Sequence, residues 1–216
     1  SKVVALSLKT GLQKVAYIEG AGDNIPQSLT PLGIEVEMLK AKNITLEKLN
    51  PFDAVVVGIR AFNVEEALAY KNKILWKYVA AGGNLLIQYN TSRRLKTTEL
   101  TPLKLNLSRD RVSNEKAEVQ IINPKHPILN HPNKITSQDF EGWVQERGLY
   151  FPNQWDAQFT PLLQMNDAGE SPKKGSLLVA PYGKGRIVYT GLSFFRQLPA
   201  GVPGAYRLFF NLIAKP

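Results

Sequence analysis

The chain has 216 residues, of which 44% are apolar and 21% charged, and its formal net charge at pH 7 is +9. This length and composition predict one globular domain, or one domain with an elaborate insertion. A chain of this length can bury a substantial hydrophobic core. The absence of cysteine excludes disulfides, thiolate zinc sites and cysteine nucleophiles, and the 2 histidines are too few for a multi-histidine metal site. No apolar run reaches the roughly 18 to 20 residues of a membrane-spanning helix, and residues 1–13 lack the apolar segment of a signal peptide.

Apolar runs with the length of buried strands alternate with helical patterns in the first part of the chain. The runs lie at 14–18, 34–39, 53–59 and 84–88, and the helical patterns at 24–33, 45–49 and 63–82. We expect Asn24 to cap the first helix, and Asn63 with Glu66 to form a capping box at the last one. This alternation predicts right-handed crossovers onto a mostly parallel sheet.

The pattern loosens after residue 91, and a β-rich insertion is predicted over roughly 92–160. We expect strands near 103–107 and 117–122, a short helix opening at Ser137, and a cluster of the aromatic residues Trp143, Tyr150, Phe151 and Trp155. Regular structure is predicted to resume at 161–165, with a hairpin over 176–192 and a closing helix over 203–214. The fold class predicted is therefore α/β, with a mostly parallel sheet that carries this insertion.

Three loops are predicted to meet at one edge of the sheet. In open α/β sheets, ligands usually bind beyond the carboxyl ends of the strands, and these ends lead into the loops 19–24, 60–63 and 89–91. The candidate ligand-binding residues there are Glu19, Asp23, Asn24, Arg60, Asn63, Tyr89 and Asn90. Carboxylates, amides and a guanidinium suit a polyhydroxylated or anionic small ligand. The alternative is that Asp23, Asn24 and Asn63 only cap helices.

Secondary candidates lie in the insertion. Arg109 and Arg111 flank Asp110, and Glu141, Trp143 and Arg147 combine charge with an aromatic ring. Carboxylates in such surroundings can act as acid and base when their pKa values differ. The alternative, which we favour, is an ion-pair network that fixes the insertion to the sheet.

Other ligand classes find less support in the sequence. The loop at Gly20 and Gly22 lacks the third glycine of a dinucleotide-binding fingerprint. Basic residues outnumber acidic ones, but no aromatic residues are interleaved with them to stack bases, so we interpret them as a solvated basic face and expect no nucleic-acid partner. His126 is expected to bond to loop backbone. We expect no cofactor and no bound metal.

Several strings of the sequence resemble the C-terminal region of large bacterial PIG-L (LmbE-like) deacetylase proteins, and the resemblance extends over nearly the whole chain. The strings are GDNIPQSL at 22–29, QYNT at 88–91, SRDRV at 108–112, DFEGWVQERGLYF at 139–151, GLSFFR at 191–196 and GAYR at 204–207. In those proteins the region is similar to the class I glutamine amidotransferase fold. The resemblance therefore implies a flavodoxin-like three-layer sandwich. It further implies that 1–216 is a single domain excised from a longer chain, with an upstream deacetylase-like domain as partner and a periplasmic or cell-surface location.

The sequence departs from an active glutaminase of this superfamily at both catalytic positions. Such an enzyme carries a cysteine nucleophile after the fourth strand and a His-Pro-Glu motif near the last strand. This chain has Tyr89-Asn90-Thr91 and Ser193-Phe194-Phe195-Arg196 there, which cannot perform thioester chemistry. The string that begins at His126 also lacks the His-Pro-Asp-Asp pattern of a zinc deacetylase. No catalytic residue is therefore assigned.

Two functional hypotheses remain open from the sequence. The first is a non-catalytic accessory domain that binds carbohydrate, or docks a partner domain, at the carboxyl edge of the sheet. The alternative is a hydrolase or sugar-modifying enzyme that uses Glu19 or Asp23 with Arg60, and Glu141 as a further candidate.

Overall fold

The computed structural model describes residues 13–215. The expectation for residues 1–13 therefore lies almost entirely outside the described part. Eleven strands are described, at β1 Lys14–Ile18, β2 Glu35–Leu39, β3 Ala54–Val57, β4 Asn84–Ile87, β5 Leu105–Val112, β6 Val119–Ile121, β7 Gly148–Trp155, β8 Thr160–Pro161, β9 Leu163–Met165, β10 Leu177–Tyr182 and β11 Gly185–Thr190. The α-helices are α1 Ile25–Leu29, α2 Leu46–Leu49, α3 Ala61–Val64, α4 Leu68–Ala80, α5 Phe194–Gln197 and α6 Pro203–Ile213.

Seven of these strands form the central sheet, in the order β2-β1-β3-β4-β11-β10-β8. The first five run parallel, whereas β10 is antiparallel to both of its neighbours, β11 and β8. The strands β1, β3 and β4 are almost wholly buried, as expected for parallel strands covered on both faces.

Each face of the sheet has its own hydrophobic core. One core contains α1, α6 and the apolar side chains of the insertion, and the other contains α2 and α4. The molecule is therefore a three-layer α/β sandwich with a mostly parallel sheet, which confirms the predicted fold class. The closing helix α6 is almost entirely buried, so it belongs to the core rather than to the surface.

The insertion is built around two antiparallel strand pairs, β5 with β7 and β6 with β9. Its segments are joined by Arg147, which is 5% exposed. The Arg147 guanidinium donates to the carbonyl oxygens of Ala117, at 2.8 and 3.0 Å, and Phe140, and it lies 5.7 Å from the ring centroid of Trp143. Burial lowers the pKa of Arg147 to about 10. These contacts fasten three segments of the insertion to one another.

The predicted capping of two helices is wrong. The Asn24 side chain makes no cap bond, and Asp23 instead accepts a hydrogen bond from the Ile25 backbone nitrogen at 3.0 Å. The predicted capping box at Asn63 and Glu66 is absent, because the Asn63 side chain bonds to a neighbouring loop and lies inside α3. A separate helix, α4, begins only at Leu68. Tertiary contacts outweigh local capping preference in both places.

Two expectations for the insertion also fail. The four aromatic residues form no single cluster: Trp143 and Phe151 lie in the core with α6, whereas Trp155 packs on the other core. Tyr150 stacks on Tyr89 at the end of β4. Strand β7 was not predicted. In β5, Asp110 forms no ion pair with either neighbouring arginine.

Both ends of the described chain meet at the amino edge of the sheet. The Asp53 carboxylate accepts a hydrogen bond from the Lys14 backbone nitrogen at 3.0 Å and pairs with the Lys215 ammonium at 2.7 Å. The end of α6 is held nearby, where the Asn84 amide donates to the carbonyl oxygens of Leu212 and Ala214, at 2.9 Å each.

Candidate functional site

The three predicted loops do meet at the carboxyl edge of the sheet. The Ala21 nitrogen donates to the Ile59 oxygen at 2.8 Å, and the Arg60 nitrogen donates to the Tyr89 oxygen at 2.8 Å. Gly20 permits the first contact, because a Cβ atom there would lie 2.2 Å from the Ile59 oxygen. The loops after β1, β3 and β4 are thus joined backbone to backbone.

Beneath these loops, Tyr17, Asp23 and Gln88 form a buried hydrogen-bonded chain. The Tyr17 hydroxyl donates to the Asp23 carboxylate, at 2.7 Å from Oδ2, and accepts from the Gln88 amide at 2.8 Å. Burial, and then the neighbouring Asp23 carboxylate, raise the pKa of Tyr17 well above its usual value. The Oε1 atom of Gln88 is buried without a hydrogen-bond partner. Asp23 therefore fixes its loop to β1.

The predicted amides are also engaged within the protein. Asn63 donates to the carbonyl oxygens of Thr91 and Arg93, at 3.1 and 3.0 Å, and accepts from the Thr91 nitrogen. Asn90 is fully buried, accepts from the Phe62 nitrogen at 2.9 Å and donates to the Gln88 oxygen at 2.9 Å. Since these groups are occupied, both amides hold the loops in place.

The remaining predicted residues differ in how free they are. Glu19 forms an ion pair with Lys40. Asn24 is exposed. The Arg60 guanidinium is exposed and forms no hydrogen bond or ion pair with any residue from 13 to 215. The backbone of Arg60 has φ 55°, a left-handed conformation that costs a non-glycine residue about 1 kcal/mol. Arg60 and Asn24 are therefore the polar groups of these loops that a ligand can engage.

An aromatic surface continues the site beyond β4, where the half-buried Tyr150 and Phe195 rings lie against the buried Tyr89 ring. The rings of Tyr89 and Tyr150 lie nearly parallel, with centroids 6.4 Å apart, and the Phe195 ring is 5.3 Å from that of Tyr89. The Arg196 guanidinium lies 4.9 Å from the Phe195 ring centroid and pairs with Glu146. Burial raises the pKa of Tyr89, and the Arg60 guanidinium acts in the opposite direction. Arg60 therefore lies close enough to this surface to act on Tyr89 electrostatically.

The secondary candidates divide between two cavities. Arg109 and Arg111 line one of about 410 Å³ together with Leu149 and Tyr150. Glu141, Trp143 and Arg147 line another of about 390 Å³ in the insertion. Only the first of these cavities shares a residue, Tyr150, with the aromatic surface of the candidate site.

Sequence reasoning did not identify Tyr17, Gln88, Tyr150 or Phe195 as parts of this region. Tyr17 and Gln88 belong to apolar runs that are typical of buried strands. The sequence therefore gives no sign that the Tyr17 hydroxyl and the Gln88 amide take part in the site. Tyr150 and Phe195 reach the site only because β7 and the segment after β11 return to the carboxyl edge. The string QYNT at 88–91 was the one available signal, since it places polar groups directly after a buried strand.

Solved structures place this fold among known proteins. A Thermoplasma acidophilum protein described as part of a GMP synthase is 14% identical, with a TM-score of 0.60, and the match covers 95% of this chain and 96% of that chain. PurLQS from Thermotoga maritima is 11% identical, with a TM-score of 0.60, over 94% of this chain and 98% of the other. A cold-adapted β-galactosidase from Rahnella sp. R3 is 14% identical, with a TM-score of 0.54, over 96% of this chain but 32% of that chain.

These matches show the fold alone. The chain has the class I glutamine amidotransferase-like fold. No protein-family model matches the sequence, and no curated protein matches it.

Within residues 13–215 no helix is long and apolar enough to cross a bilayer. In that same range, histidine, aspartate and glutamate form no group of three or more that could hold a metal ion.

Proposed function

We propose that the chain is a non-catalytic glutamine amidotransferase-like accessory domain that binds carbohydrate at the carboxyl edge of its sheet. The observation that carries this proposal is the ring pair of Tyr89 and Tyr150 beside the unpaired Arg60 guanidinium. The C–H faces of sugar rings pack on aromatic rings, and a guanidinium donates to hydroxyl or acidic oxygens. The site thus combines an apolar platform with a free polar group.

The lack of a nucleophile supports a binding role. At the turn after β4 the side chains are Tyr89, Asn90 and Thr91, and the Asn90 amide is occupied by backbone partners. No cysteine exists anywhere in the chain. Incubation with glutamine is therefore expected to release no ammonia, and a measurable glutaminase rate would contradict the proposal.

The proposed context is a PIG-L type deacetylase protein with its catalytic domain upstream, in the periplasm or at the cell surface. This rests on the resemblance of the sequence strings. The β-galactosidase match is consistent with an accessory role, because it shows the same fold as about a third of a longer enzyme chain. The reading frame is the direct test: a zinc-motif deacetylase segment upstream is expected, and a different neighbouring domain would remove this part of the proposal.

Docking of a partner domain at the same edge is the competing binding role. Here the exposed Arg60 would contact protein rather than sugar.

The enzymatic alternative has less support, because the Asp23 carboxylate is held by Tyr17 and Glu19 is paired with Lys40. Turnover of acetylated amino sugars that disappears in Glu19→Gln or Asp23→Asn would favour the enzyme instead.

Binding of carbohydrate can be tested by calorimetric titration of an oligosaccharide panel. Tyr150→Ala removes the more exposed member of the ring pair and is expected to weaken binding about tenfold or more. Arg60→Ala should weaken binding as well, because it removes the free guanidinium. The matched control is Tyr70→Ala, since Tyr70 is 66% exposed on α4 and makes no ring contact. Equal affinities for Tyr150→Ala and Tyr70→Ala would count against the proposed site.

A further inference from the structure

The cavity at Arg109 and Arg111 adds a charged compartment to the aromatic surface. Both side chains line one cavity, and Asp110 between them does not belong to its lining. Leu149 and Tyr150 complete the lining, so the cavity of about 410 Å³ contains no carboxylate among its lining residues. This volume lies within the range of about 300 to 1,000 Å³ that is usual for small-ligand sites.

The positive charge of this cavity is largely unpaired. The Arg109 guanidinium forms no hydrogen bond or ion pair within residues 13–215. Arg111 has one acidic partner, Glu170, at 3.6 Å, and Glu170 also pairs with Lys173. One carboxylate is thus shared between two cations, Arg111 and Lys173, while a third cation, Arg109, has none. An anionic group would find donors here without displacing a strong internal ion pair.

Tyr150 connects the cavity to the candidate site. Its ring lines the cavity and also stacks on Tyr89. The Tyr150 backbone has φ 51°, which is rare for a bulky residue. The chain is held there by the Leu149 nitrogen, which donates to the Gly191 oxygen at 2.8 Å, and by the close approach of Gly148 to Gly191. A ligand stacked on the aromatic surface would therefore extend towards the two arginines.

We propose that the saccharide bound at this edge is acidic, and that its carboxylate or sulfate group is bound by Arg109 and Arg111. This inference rests on the proposed carbohydrate-binding function and specifies the class of sugar. Guanidinium groups bind carboxylates and sulfates through paired, charge-assisted hydrogen bonds. A nucleotide would need aromatic and cationic groups as well, but α1, which follows the Gly20 loop, spans only five residues and gives no extended helix for a pyrophosphate.

The test compares acidic oligosaccharides with their carboxyl-reduced forms, in which a neutral hydroxymethyl group replaces each carboxylate. Suitable probes are oligomers of galacturonate, of mannuronate, and of glucuronate alternating with N-acetylglucosamine. The wild-type chain is expected to bind at least one acidic oligomer about tenfold more tightly than its reduced form at low ionic strength, with the preference falling as salt is added. Arg109→Gln/Arg111→Gln should abolish the preference, so that the acidic oligomer and its reduced form bind with similar affinity.

The charge-matched control is Lys77→Gln/Lys184→Gln, which removes the same two charges from exposed positions on α4 and the β10–β11 turn. This control should retain the preference, and its loss there would show a general charge effect and overturn the inference. Equal binding of acidic and reduced forms, with Tyr150→Ala still weakening both, would overturn the inference but leave the carbohydrate site intact. Failure of every saccharide to bind would overturn both proposals. Preferential binding of a nucleoside diphosphate would also overturn both.

Discussion

At the scale of single residues, the Tyr17 hydroxyl joins the first strand to the loops of the candidate site. It connects the Asp23 carboxylate to the Gln88 amide, and so joins β1 to the loops after β1 and β4 at the candidate site. The loops therefore depend on a side chain that no ligand touches. This separates residues that hold the site from residues available to bind, of which Arg60 and Tyr150 are the main examples.

Tyr17→Phe tests that separation. The change leaves Asp23 without its hydroxyl donor and the Gln88 amide without an acceptor, so we expect the free energy of unfolding to fall by about 1 to 3 kcal/mol. Urea denaturation gives the value, and Tyr70→Phe at an exposed position should change it little. If Tyr17→Phe unfolds at the same urea concentration as the wild type, the buried chain contributes nothing measurable.

At the scale of elements, β7 determines where the insertion meets the sheet. Gly148 begins this strand, and a Cβ atom there would lie 2.3 Å from the Gly191 oxygen and 2.7 Å from the Phe151 ring. The close approach sets the position of the next two residues, including Tyr150. The insertion therefore shapes the candidate site through a backbone contact, in addition to the ion pair between Glu146 and Arg196.

Gly148→Ala is expected to lower the free energy of unfolding by about 3 kcal/mol or more, because a backbone overlap cannot be relieved by a rotamer change. It should also weaken saccharide binding by moving Tyr150. The control is Gly169→Ala, where no atom lies within 4 Å of the added Cβ and only the positive φ of 78° is unfavourable. That change should cost about 1 kcal/mol. Equal losses in the two variants would argue against the close approach as the cause.

Local sequence pattern predicted the elements that are buried runs or amphipathic helices. The strands β1, β3 and β4 and the helix α6 lie within about two residues of their predicted bounds. Prediction from local pattern failed where a side chain makes a long-range hydrogen bond. Asn63 has the sequence setting of a helix cap, but its amide donates to the carbonyl oxygens of Thr91 and Arg93. Strand β7 escaped prediction because its pairing with β5 is long-range and interrupted by register shifts.

Prediction of the candidate site is limited in the same way, because local sequence pattern does not reveal long-range contacts. The strand-end rule correctly brought together the loops of Asp23, Arg60 and Tyr89, because parallel strands end at one edge. It could not show which polar groups are already occupied, since that depends on partners such as Tyr17. Nor could it bring Tyr150 to Tyr89, because that contact is made by the insertion.

At the scale of the whole molecule, buried tyrosines make stability depend on alkaline pH. Burial and the Asp23 carboxylate raise the pKa of Tyr17, burial raises that of Tyr78 to about 12, and burial raises that of Tyr189. A tyrosine whose pKa is higher in the folded state keeps its proton while the unfolded chain releases it. The contribution is fully present below pH 10 and is lost as pH rises towards the folded-state pKa.

We therefore expect the free energy of unfolding to fall above pH 10, by up to about 1.4 kcal/mol per pH unit for each such tyrosine. Urea titrations at half-unit steps between pH 8 and pH 11 measure this slope. Tyr17→Phe and Tyr189→Phe should each make it shallower. An unchanged slope in both variants would show that these hydroxyl groups ionise as readily in the folded protein as in the unfolded one.

The Asp53 carboxylate holds Lys14 and Lys215 together at the amino edge of the sheet, opposite the aromatic surface. A linker attached to the Lys14 or Lys215 side chain would leave the protein from that edge. A sensor chip or bead coated in this way would present Tyr150 and the two arginines towards the flowing solution. Immobilised protein is therefore a convenient format in which to screen large polysaccharides that cannot be titrated in a calorimeter cell.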